Sequence, residues 1–133
     1  MFGGVFHLSP RIAPEIQTLA RHLDNVSYHL DGPDAVKHLD IILDIPEIDA
    51  IQWVPGVPRQ GTGSAIPWIL MLRKVQKKKK SPYIYASEPR RVERLISELS
   101  PEGLLICTSC DSEEEARCLV KKVERWTALR MRQ

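Results

Sequence analysis

The sequence predicts an α/β fold in which a first helix is followed by four parallel βα units, half of a (β/α)8 TIM barrel. Three observations carry that reading. Segments with helical spacing alternate with short strand-like runs from one end of the chain to the other. Most strand-like runs end near Gly, Pro or Ser residues that turn the chain toward a helix. The 133 residues form about one domain, whereas a closed barrel needs eight units and about 250 residues.

Residues 1–24 hold an N-terminal segment and a helix, in which Ile16, Leu19, Ala20 and Leu23 recur at the spacing of one buried face. Residues 25–133 hold the four units. Val26 to Asp31 reads as the first strand, and Gly32-Pro33 turns it into a helix with proline at its first position and Val36, Leu39 and Leu43 on one face. Asp49 to Val54 is the second strand. Pro55-Gly56 then opens the longest irregular segment, Val57 to Ala65, where Gly61, Gly63 and Ser64 predict a mobile loop. Pro67 starts a helix that turns Ile69, Leu72 and Val75 inward. Its end, Lys77 to Lys80, reads as a solvated terminus whose charge complements the helix dipole. Pro82 to Ala86 is the third strand, followed by a helix with Val92, Leu95, Ile96 and Leu99 at helical spacing, which Ser100-Pro101 breaks. Gly103 to Thr108 is the fourth strand. Ser112 opens the last helix with a capping box to Glu115, and Ala116, Leu119, Val120 and Val123 form its packing face.

Composition narrows the function classes. Lys+Arg 19 against Asp+Glu 17 leaves a formal charge of +2, too weak a field to nominate nucleic acid or an anionic membrane as partner. The lysine run carries no aromatic or arginine pattern of the kind that binds single strands. No apolar stretch approaches the roughly 20 residues of a membrane span. Met1 to Phe6 lacks the charged and apolar regions of a signal peptide, so the cytoplasm is the expected compartment. Three cysteines, Cys107, Cys110 and Cys118, are an odd number in one short segment and make a poor disulfide framework.

In parallel βα arrays, functional residues gather where strands end and loops begin. Those positions hold His29, Asp31 and Gly32; then Trp53, Pro55 and Gly56; then Ser87 and Glu88; then Cys107 to Cys110. Cys107-Thr108-Ser109-Cys110 sits between a strand and a helix start, where amide dipoles favour thiolate. Three readings fit it: a dithiol that cycles with its disulfide, a thiolate ligand for a metal, and two cysteines that merely pack. His29 and Asp31, two apart on a strand, share a face and offer nitrogen and oxygen ligands. Taken alone, His29 reads as a hydrogen-bonded structural histidine and Asp31 as a cap for the next helix. Trp53 reads as a packing residue or as the floor for a planar ligand. Ser87 and Glu88 complete the candidate substrate contacts. His7, His22, His38 and Cys118 read as surface or packing residues.

Tyr28 to Pro33, His38 to Asp40 and Ala50 to Gly56 resemble the C-terminal half of the uroporphyrinogen decarboxylase superfamily, and in particular its methyltransferase-like branch. The resemblance runs from about Asp24 to Trp126, with Ile51 to Gly56 its most specific string. It implies a (β/α)8 barrel with the active site at the C-terminal strand ends. Zinc-dependent corrinoid methyltransferases of the superfamily carry a His-x-Cys-Gly and a later Cys. Their zinc turns a substrate thiol into a thiolate that accepts a methyl group from methylcobalamin. His29 falls on the motif's His, Gly32 on its Gly and Cys110 on its later Cys, whereas Asp31 stands where the motif has Cys. The resemblance therefore implies zinc on His29, Asp31 and Cys110, with Cys107 as a substitute, and a corrinoid supplied by a partner protein. The superfamily's decarboxylases use acidic and arginine residues of the first barrel half, which correspond to nothing in this chain. Half a barrel should expose apolar side chains and strand edges, so the expected partner is a second copy in a homodimer or a missing N-terminal half. The alternatives to a methyltransferase-like domain are a non-catalytic half barrel that binds a ligand or another subunit, and a thiol-redox module.

Overall fold

A computed structural model describes residues 12–55 and 65–132. The elements follow in the predicted order: α1 (Ile12–Ala20), β1 (Ser27–Asp31), α2 (Leu39–Leu43), β2 (Ala50–Val54), α3 (Ile69–Lys77), β3 (Ser81–Ser87), α4 (Val92–Glu98), β4 (Leu105–Thr108) and α5 (Glu113–Arg130). The strands form one sheet in the order β1-β2-β3-β4, with every pair parallel. Sequential parallel order with right-handed crossovers puts the connecting helices on one face of the sheet. Fold class and strand order agree with the sequence reading. Gly56 and the expected mobile loop from Val57 lie outside the described residues, except Ala65, which is buried.

Each of the first three crossovers begins with a short 3-10 segment containing a proline: Pro33, Pro67 and Pro89. Proline's fixed φ and missing N–H suit a helix start, where the amide would lack an intrahelical partner anyway. Asp31 does not cap the first of these. Gly32 is the N-cap, at φ 76, and no side chain bonds there. Ser112 does cap α5: its hydroxyl accepts from the Glu115 amide at 3.2 Å, and Glu115 reaches back to the Asp111 amide at 3.1 Å.

Strand alternation sorts the side chains. Leu30, Ile51, Trp53 and Ile84 point to the helix side and are buried there with Leu39, Ile42, Leu72, Val75, Leu95 and Leu99. Below the sheet, Asp49 ties three strands at their starts. Its carboxylate accepts from the Val26 amide at 2.8 Å, its own amide donates to Val26, and its carbonyl accepts from Ser81.

Three expectations need correction. On α1, Ala13, Ile16 and Ala20 face the core, but Leu19 and Leu23 are 71% and 61% exposed. The helix ends at Ala20, so the last position of the predicted stripe lies beyond it. The face expected for α5 is also not buried: none of its residues is, and Val120 stands 58% exposed. The helix packs along α4, and among the described residues no further strand lies beyond β4 to cover it.

The third correction concerns Lys80, which is buried rather than solvated. Helix α3 closes with the pair of bonds typical of a left-handed C-terminal cap: Lys79 N–H to the Gln76 carbonyl, and Lys80 N–H to the Val75 carbonyl. Lys79 supplies the left-handed residue at φ 58. That reversal carries the Lys80 side chain under the sheet, where Nζ donates to the carbonyls of Ile45 at 2.9 Å and Ile48 at 2.5 Å. Lys78 stays outside and pairs with Asp44, whose carboxyl it holds below the ordinary carboxylate range.

Candidate functional site

All strands are parallel, so their C-terminal ends share one rim, and every other residue faces away from the helices. The register sets His29 beside Gln52, Gln52 beside Tyr83, and Tyr83 beside Leu105, forming one row across the sheet. This open face is more polar than a bare half barrel was expected to be. Ser27, His29 and Asp31 are exposed on β1, and Gln52 and Tyr83 are partly exposed. Tyr83 and Tyr85 meet edge to face, with ring centroids 6.5 Å apart.

Within the row, His29 Nδ1 lies 2.8 Å from Gln52 Oε1. An amide oxygen only accepts, so this bond places a proton on Nδ1. In the neutral ring the Nε2 lone pair is then available to a hydrogen-bond donor. Gln52 was not among the positions singled out from sequence. The signal present was its alternation with the apolar Ile51 and Trp53, which sends Gln52 to the opposite face, whereas its place beside His29 is set by the strand register.

The remaining candidates are dispersed. Asp31 follows His29 on the same face, one level nearer the rim. Cys107 alternates with the core-facing Ile106 and so belongs to the open side, on β4 at the opposite edge of the sheet. Trp53 is fully buried on the helix side, its ring 4.9 Å from that of Trp68 and tilted by 55°. It therefore packs the core and does not floor a ligand on the open face. Ser87 ends β3 opposite Thr108, after a register shift that adds a residue to β3.

Cys110 and Glu88 lie together in another place, a groove of about 590 Å³ between the start of α4 and the start of α5. Cys118, Lys122 and Trp126 also line it. The Glu88 carboxylate is engaged there by Arg90 at 2.5 Å and Arg91 at 3.0 Å. The three cysteines carry no disulfide.

Zinc on His29, Asp31 and Cys110 would need donors converging from the first strand and from beyond the fourth. Neighbouring strands lie about 4.8 Å apart, so the edges of four are separated by roughly 14 Å. Among the described residues no three His, Cys, Asp or Glu side chains come together as metal ligands would. The donor set thus does not fit zinc within one chain, and no thiol-activation step follows from it. No known protein family, curated protein or solved structure matches this chain.

Proposed function

We propose that the chain is a half-barrel binding and assembly module, whose polar open face forms one wall of a pocket that a second half barrel completes. The observation that carries this reading is the row His29, Gln52 and Tyr83 on adjacent strands of a sheet whose two edge strands, β1 and β4, each lack a neighbour on one side among the described residues. All-parallel sheets are ordinarily covered on both faces, and bare strand edges are templates for pairing. A floor of imidazole, amide, phenol and carboxylate suits a polar small molecule held by hydrogen bonds. The likeness of Tyr28 to Pro33 and Ala50 to Gly56 to the uroporphyrinogen decarboxylase superfamily supports the same architecture, with the functional rim at these strand ends.

A methyltransferase-like reading rests on that likeness and on His29 and Asp31 sharing the open face. It requires zinc, and it requires donors that one chain does not bring together. Metal analysis separates the two. For the module, the purified protein is expected to hold far less than one zinc per chain, and added zinc should leave its melting temperature unchanged. Stoichiometric zinc that is lost on substituting His29→Ala would overturn the module reading in favour of the methyltransferase-like one.

A further inference from the structure

Among the described residues, Ile41 and Leu70 are exposed on α2 and α3, and several other exposed apolar side chains belong to the elements that lead into or follow the two edge strands. Leu19 and Leu23 protrude from α1 and the turn after it, which lead into β1. Leu105 of β4, with Val120 and Leu129 of α5, protrudes at the other edge. Between β4, α4 and α5 lies an apolar groove of about 360 Å³, lined by Val92, Ile96, Leu104, Ile106, Val120 and Val123 among others. It is the space that α5 would fill if it packed down on the sheet, and α5 buries no residue.

Resting on the half-barrel reading, we infer that a second copy of this chain closes the sheet through two identical seams. In each seam β4 of one copy pairs in parallel with β1 of the other, and the Leu19–Leu23 ridge of the incoming copy seats in the apolar groove beneath α5. A two-fold axis running along the strands preserves strand direction, so the new pairs are parallel like the old ones. Each chain offers one β1 edge and one β4 edge, and two copies consume all four and leave none bare. The edges match in length, five residues in β1 and four in β4. Each seam also receives two helices, α1 of one copy and α5 of the other. The unfilled groove is the room that the additional helix requires.

The test uses the full chain, with Leu19→Glu and Val120→Glu as separate variants. Both side chains are exposed, so each substitution leaves the single-chain core untouched. Light scattering on a sizing column should show a dimer for the unmodified chain, and each variant should weaken dimerisation at least tenfold. In the unmodified chain, hydrogen exchange should slow at the amides of β1 and β4 as concentration rises, while β2 and β3 stay unchanged. A dimer that ignores both variants, with no protection at the edge strands, would overturn the seam and leave the half-barrel reading standing. A chain that stays monomeric throughout would overturn both.

Discussion

Trp53→Ala is expected to lower the stability of the chain by about 3–5 kcal/mol, the usual cost of emptying a large aromatic site in a packed core. Trp53 is fully buried at the centre of the helix-side core, and its ring lies against Trp68. Truncation would strip contacts from the sheet and from the start of α3 together. The indole N–H, however, has no hydrogen-bond partner among the described residues. Trp53→Phe removes that unpaired donor along with some volume, so its cost should be much smaller, about 1 kcal/mol. Urea unfolding of the two variants measures the contrast. Equal losses would mean that something particular to the indole, and not the volume it fills, sets the cost at this position, and a negligible loss for Trp53→Ala would mean that the ring is not in the core at all.

Lys80→Met should cost about 3 kcal/mol although the two side chains are similar in length. The ammonium group donates to the carbonyls of Ile45 and Ile48, which turn the chain from α2 into β2, and methionine donates to neither. Hydrogen bonds from a charged donor contribute about 1.5–3 kcal/mol each, and stranded buried carbonyls add their own desolvation cost. Lys79→Met is the control, because its neighbour's role depends on position rather than on charge in general. The same unfolding measurement should find that control nearly neutral. Matching losses at positions 79 and 80 would show that the run acts only through its summed charge.

Local pattern made the fold legible to within a few residues at most element ends. Val92, Leu95, Ile96 and Leu99 were assigned inward from spacing and are all buried, because α4 packs directly on the sheet. The same reasoning failed for Leu19, Leu23 and Val120 because spacing specifies a face without specifying what covers it. Val120 lies on the helix that follows the edge strand β4, and Leu23 lies beyond the end of α1. Lys80 failed for a different reason. A run of four lysines reads as surface, and only the backbone reversal at Lys79 separates the last of them from the rest.

The candidate site was legible in part. His29 and Asp31 stand on the open face as their two-residue spacing required, whereas Trp53 shares the parity of Ile51 and so belongs to the core. Proximity to a strand's end had suggested a rim position, but alternation decides which face a residue serves. The distance between His29 and Cys110 was not legible, because spacing along the chain does not say how far a sheet of four strands curves.

Sedimentation equilibrium of the unmodified chain is the most direct test of the claim that this fold is an open half that assembles. At tens of micromolar, roughly where dimers of modest affinity populate, the account predicts a species of twice the 15.2 kDa chain mass that dissociates on dilution. A single species at 15.2 kDa across that range would contradict it, and would mean that the polar open face is simply a solvated surface.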